Sequence, residues 1–388
     1  MTPGARVQAA IEILDQIATG IAAEKALTGW ARRSRFAGSK DRAAVRDHVF
    51  DVLRCKRSFA CLGGGESGRA LMLGRVRADG TDPDDLFTGQ GHAPHPLSAA
   101  ERTAGHAPGS EGDRLDLPDW LVPLFHASLG DGTAAAAEAL RRRAPVVVRV
   151  NARISNASQA IDILQEDGIS AEPVEEVETA LVLRDGARRL NGARAYAEGV
   201  VELQDTSSQA AMACLPVRPG QRVLDYCAGG GGKVLALAAR AEAQWFAHDA
   251  DPGRMRDLPA RARRAGVTVT RLSPEEVRAE APFDLVLCDV PCSGSGTWRR
   301  APEAKWRLTP ERLAALKTTQ ADILVRASDL VGPHGHLAYT TCSVLEEENG
   351  DRVAGFIDSH PDWQLREERR WPISEQGDGF YLALFQRR

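Results

Sequence analysis

The residues with the most chemical reach in this 388-residue chain are two thiols and a carboxylate at the ends of apolar runs. Asp284-Leu-Val-Leu-Cys-Asp-Val-Pro-Cys-Ser293 reads as a buried strand that delivers Asp289, turns at Pro291 and presents Cys292. Tyr339-Thr-Thr-Cys-Ser343 places Cys342 at the end of another strand. A lone cysteine in such a place is most often a small buried hydrophobe. Two at the active edge of one sheet, one of them near an acid, point instead to covalent chemistry. A thiolate that adds to C6 of a cytosine breaks the ring's aromaticity and makes C5 able to attack a methyl donor. A carboxyl near the ring edge can hydrogen-bond N3 and the amino group, and a second thiol can assist release. Asp289, Cys292 and Cys342 supply these parts. The residues alone leave open which thiol attacks.

The donor side is Asp225-Tyr-Cys-Ala-Gly-Gly-Gly-Gly-Lys233. Four successive glycines after a strand let the backbone turn tightly and approach a ligand without Cβ interference. A P-loop would need Gly at 227 and Ser or Thr at 234, and a dinucleotide fingerprint from Gly229 would need Gly at 234. The chain has Cys227 and Val234. A strand, an acid and this turn suit S-adenosylmethionine, whose methionine portion must pass close to main chain. Asp249 ends the next strand and is placed to accept ribose hydroxyls. Asp251 reads as the cap of a helix from Pro252.

A parallel sheet would position these ends. Strand-like runs at 222–226, 244–248, 267–271, 283–288 and 336–340 alternate with helical segments, including a long one from Pro310 to Leu330. That alternation predicts a doubly wound α/β fold with ligands beyond the carboxyl ends of the strands. Upstream, Val146–Val150, a helical Ser158–Glu166, Leu181–Leu183 and Val200–Leu203 predict a small α+β module over 140–205. The first third is helical: Val7, Ala10, Ile11, Leu14 and Ile17 recur at helical spacing, a second segment starts near Ala22, and a third follows Ser39 as N-cap. Helical patterns return at Trp120–Leu129 and Ala134–Arg143. The expected division is a helical domain over 1–135 with a loop or linker around 80–116, the module, and the sheet domain over 206–388.

Composition narrows the class. A hydrophobic share of 43% and a charged share of 26% fit a globular protein, and no apolar run approaches a membrane span. The seven cysteines are odd in number and lack metal-ligand spacing, which argues against a disulfide framework or zinc site. Without a signal-peptide pattern the expected location is cytoplasmic. The net charge of −4 hides an asymmetry: residues 1–62 carry 11 Lys/Arg against 6 Asp/Glu, a basic region on an acidic body. Such a region fits a phosphate-binding surface or a solvated helical face.

With these residues in view, the chain resembles the RNA 5-methylcytosine methyltransferases of the Sun/Fmu family, of the small-subunit ribosomal RNA type. Asp225–Lys233 is similar to the family's cofactor motif, Asp289-Val-Pro-Cys-Ser293 to its Asp-Ala-Pro-Cys-Ser motif, and Thr341–Asn349 to its Thr-Cys-Ser motif with an acidic cluster. Gln204–Gln209, Arg299–Trp306 and Gly377–Tyr381 match further motifs. The resemblance implies a Rossmann-like methyltransferase domain, a small RNA-binding module before it, and a NusB-like RNA-binding helical domain. The last rests on Arg6–Ile11 and Asp47–Arg54. It also implies Cys342 as nucleophile and Cys292 as the residue that resolves the adduct, with Asp289 between cofactor and base. On the cofactor it puts Cys227, Ala228, Gly229, Gly230, Gly231, Gly232, Lys233, Asp249, Ser273 and Asp289.

Two departures stand out. Gly230 replaces the family's proline, raising the ordering cost of the turn by ~1 kcal/mol, and Ser273 stands where an aspartate contacts the adenine end. Glu275 is placed to compensate. Weaker cofactor binding follows. The expected protein is thus a monomer without metal or membrane association that methylates C5 of a cytosine in RNA, 16S ribosomal RNA first. Transfer RNA, or a catalytically silent assembly factor, stand as alternatives.

Overall fold

The computed structural model describes residues 1–388, which divide into two compact units. The first comprises Met1–Arg143 together with Trp298–Leu308; the second comprises Ala144–Thr297 and Thr309–Arg388. The division falls after the helix Thr133–Arg141, which a boundary at 135 would cut.

Helices Pro3–Ala18, Ala23–Arg33, Ser39–Arg54, Lys56–Gly63 and Gly68–Ala78 bury one continuous apolar cluster, including Val7, Ile13, Leu27, Val49, Phe59 and Met72. Ser39 is the first residue of its helix, not its cap; Gly38 holds the cap position without a side-chain hydrogen bond. The stretch 80–116 is mostly irregular but is not a free linker. Phe87 and Leu97 are buried in the helical core, and reciprocal capping boxes at Ser98/Glu101 and Ser110/Asp113 fix two short helices. Trp298–Leu308 packs in this unit because it satisfies carbonyls left over at a helix end. Trp306 Nε1 donates to Leu53 O at 2.6 Å and Lys305 Nζ to Arg54 O at 3.1 Å. Burial brings the Lys305 ammonium down to about 8.

The second unit begins with β1 (Val146–Val150), the helix Ala157–Glu166, β2 (Ser170–Val174), β3 (Val177–Asp185), a helical stretch over 187–197 and β4 (Val201–Leu203). The strands lie in the order β2-β3-β1-β4 with antiparallel pairing, a split βαβ arrangement.

The main sheet has β5 (Arg222–Asp225), β6 (Gln244–Ala247), β7 (Val269–Arg271), β8 (Phe283–Asp289), β9 (Val331–Thr341), β10 (Trp363–Trp371) and β11 (Phe380–Arg387). Their order is β10-β11-β9-β8-β5-β6-β7, parallel from β9 to β7 and antiparallel at the other edge. Both faces are covered, so the strands are apolar on both sides. Val223, Leu285, Leu287 and Ala338 enter one core; Leu224, Val286, Cys288 and Tyr339 enter the other. Chain order reverses between β8 and β5, and a crevice outside their carboxyl ends is where such sheets bind ligands. Those ends are Asp289 and Asp225.

Candidate active site

Alternation along the strands decides which side chains meet. Asp289 follows Leu285 and Leu287 in phase, and Cys342 follows Ala338 and Thr340, so all point to the side of the helix Gly232–Ala238. Cys292 arrives from the turn after β8 and completes the group. Its Sγ lies 3.5 Å from Cys342 Sγ. Thr297 Oγ1 donates to Cys342 Sγ at 4.0 Å.

The two thiols are driven apart electrostatically. The hydrogen bond from Cys292 holds Cys342 below the usual thiol range, helped by the Lys233 ammonium and the Thr297 hydroxyl and opposed by burial and Asp289. The same bond, then burial, then the charges of Cys342 and Glu348 push Cys292 well up. The two sulfurs thus differ in acidity, with Cys342 the more acidic of the pair. Asp289 is oriented by Lys233 Nζ on Oδ2 at 2.6 Å and by Thr340 Oγ1 on Oδ1 at 3.2 Å. Burial opposes the charge on Lys233, but Asp289 beside it raises the ammonium above its ordinary value. Lys233, grouped by sequence with the cofactor residues, thus sends its charged end to Asp289.

On the donor side, Gly229 and Gly231 adopt positive φ of 50° and 82°, and a Cβ on Gly231 would lie 2.2 Å from Leu258 Cδ1, so neither tolerates a side chain easily. Asp249 Oδ2 accepts Gly229 N–H at 2.9 Å and Oδ1 accepts Asp251 N–H at 2.9 Å, which leaves lone pairs for further donors. Asp251 caps the short helix at Pro252. Arg261 donates to Gly230 O and a Cβ on Gly230 would meet that guanidinium at 2.7 Å, so an arginine braces the turn where proline is absent. Ser273 is occupied as the cap of the helix Pro274–Glu280, in a reciprocal box with Glu276. Ala228 and Gly232 line the turn; the Cys227 thiol is pushed up by burial and stays protonated.

Sequence reasoning passes over Asp225 as a site residue. It is 1% exposed, accepts Val234 N–H at 3.2 Å on Oδ2, and leaves Oδ1 buried with no hydrogen-bond partner. Burial raises its carboxyl from 3.8 to about 7. An unpaired carboxyl oxygen beside a wall of glycines fits a cationic, main-chain-hugging ligand such as S-adenosylmethionine. Because the folded-state value exceeds the unfolded one, the folded chain holds this proton more tightly between them. The stability this gives is complete below the unfolded value and is lost as pH rises through about 7. Asp225→Asn, which keeps an oxygen for Val234, should therefore melt with a flatter pH dependence and gain on the order of 2–4 kcal/mol relative to the parent at about pH 8. Parallel melting curves for the two proteins would refute this.

Fold and strand-end site together define a Rossmann-like methyltransferase domain. Comparison with known proteins places it further. The family described as 16S rRNA methyltransferase RsmB/F matches residues 212–386, and a ferredoxin-like domain of RsmF/B-like methyltransferases matches residues 117–188. A ribosomal RNA small subunit methyltransferase B from Citrobacter koseri is 33% identical over 284 residues, 69% of this chain and 65% of the relative's length. The chain thus spans less than two thirds of that relative. The crystal structure of PH0851 superposes with a TM-score of 0.79 at 25% identity, covering 100% of this chain and 99% of that one. A methyltransferase homologue from Pyrococcus horikoshii shares the fold, with a TM-score of 0.61 at 24% identity, covering 71% of this chain and 97% of that one. The chain belongs to the Sun/Fmu family of RNA methyltransferases.

Proposed function

We propose that this protein methylates C5 of a cytosine in small-subunit ribosomal RNA through a thioether between Cys342 Sγ and C6 of the base. The observation that carries the reading is the sulfur pair, 3.5 Å apart with acidities shifted in opposite directions, beside a carboxylate held by a lysine. Cys342 attacks C6 and forms the S–C6 bond. Asp289, aimed by Lys233 and Thr340, takes hydrogen bonds from the exocyclic amine and the protonated N3 as C5 becomes nucleophilic. S-adenosylmethionine, when bound, supplies the methyl group as an electrophile. Once Cys342 is tied up in the thioether, the bond that raised Cys292 most is gone together with the Cys342 charge, and Cys292 becomes easier to ionise than before. Having released its own proton to solvent, it is then suited to take the C5 proton as the S–C6 bond breaks and the ring returns the N3 proton to solvent.

The turn Cys227–Lys233, Asp249 and Asp225 would hold the cofactor. With Ser273 committed to its capping box, it adds no charge at the adenine end. The match to ribosomal RNA methyltransferases favours ribosomal over transfer RNA. Bisulfite sequencing of total RNA from cells with and without the gene tests this. One 16S cytosine that loses its methyl mark supports the reading; loss confined to transfer RNA, or no loss, overturns it.

The helical unit and the split βαβ module are proposed to hold the RNA. Arg32, Arg33, Arg35 and Lys40 are exposed at and beyond the end of the helix Ala23–Arg33. Replacing all four by glutamine should weaken RNA binding and reduce the slope of log affinity against log salt by about 0.7 for each phosphate that is no longer neutralised. An unchanged slope in filter binding would show that these charges only solvate the helix. Deleting 1–62 would be a poor substitute, since it removes most of the buried helical cluster.

A further inference from the structure

The carboxylate of Glu348 takes no part in the steps above, yet it is bonded to the residues that follow both sulfurs. It is 0% exposed. Its Oε1 accepts Ser293 N–H at 2.8 Å and Gln320 Nε2 at 2.9 Å. Its Oε2 accepts the hydroxyls of Ser293 and Ser343. Ser293 follows Cys292, and Ser343 follows Cys342. Gln320 Nε2 also reaches Pro291 O at 3.0 Å, and Tyr339 Oη donates to the Glu348 carbonyl at 2.6 Å.

We infer that Glu348 is a positioning residue: a buried strap that sets the separation of the Cys292 and Cys342 sulfurs. A carboxylate can only accept, at about four lone-pair sites, and here four donors from three chain segments fill them. Removing one leaves a buried charge short of a partner, which makes the arrangement stiff. Ser343 Oγ already accepts Leu345 N–H at 3.0 Å, so it has little freedom to turn round and accept from an amide at position 348. The negative charge also helps keep Cys292 protonated beside Cys342. The inference rests on the proposed thiol chemistry only for its consequence in turnover; the strap itself is a matter of geometry.

Two readouts on the full-length protein test it. Diamide, which accepts the two electrons and two protons that a thiol pair gives up, should close the Cys292–Cys342 disulfide without RNA or cofactor. Glu348→Gln should slow this closure about 10-fold or more and lower kcat by a similar factor, with KM for RNA changed less than about twofold. Ser343→Ala and Ser293→Ala, which keep the carboxylate, should each slow both by about threefold, and they carry the test if Glu348→Gln melts below the assay temperature. Parental closure rates and parental kcat in these variants overturn the strap. Slowed closure in a protein that shows no cytosine methylation keeps the strap and removes the proposed function.

Discussion

Replacing Cys342 by alanine is expected to stop methyl transfer, by on the order of 10⁴-fold or more, while leaving S-adenosylmethionine affinity within about twofold. The separation of effects follows from the layout. Cys342 directly follows β9, whereas the glycine turn and Asp249 lie beyond the ends of β5 and β6 and are bonded to each other rather than to the sulfur. Serine is no substitute. An alcohol lacks the acidity that lets hydrogen bonds and the Lys233 charge hold a nearby thiol below its usual range. Single-turnover transfer of labelled methyl to small-subunit RNA, with isothermal titration of the cofactor, checks both halves. A Cys342→Ala protein that still turns over would remove the sulfur from its role.

The second large effect is expected at Cys292. Its alanine variant should add to RNA but fail to let go, so a covalent protein–RNA species should accumulate on denaturing gels while turnover drops about 10²-fold or more. The variant also loses the hydrogen bond that lowers Cys342, so addition should need a higher pH than in the parent. Raising the pH should therefore increase the adduct without restoring turnover. If no slow-migrating band forms at any pH where the parent is active, Cys292 has no part in release.

Much of this site is legible in the sequence because period-two strands and strand-end residues are local signals. The runs ending at Asp225, Asp249, Asp289 and Cys342 form β5, β6, β8 and β9, and alternation alone puts Asp289 and Cys342 on one side. Other features depend on distant partners. β10 runs Trp-Gln-Leu-Arg-Glu-Glu-Arg-Arg-Trp, a charged sequence that looks like solvated helix or loop and is a strand only because it pairs along β11 at the sheet edge. β2 is hidden for a similar reason: Ser170–Val174 carries a proline and gains its register from β3. Lys233 sits in the cofactor motif, but its reach to Asp289 crosses 56 residues of chain. Arg261 bracing Gly230, and Glu348 beneath both thiols, are likewise products of folding rather than of any local pattern. The placement of Arg299–Trp306 in the helical unit has the same origin, since the carbonyls it satisfies belong to a helix some 250 residues earlier.

The most direct test of the central claim uses small-subunit RNA carrying 5-fluorocytidine, in which C5 bears fluorine in place of the proton that must leave, so the thioether persists after methyl transfer. Protease digestion and mass spectrometry of the trapped species should find the modified nucleotide on the peptide that contains Cys342. Attachment to the peptide bearing Cys292, or the absence of any cross-linked peptide despite bound cofactor, contradicts the account.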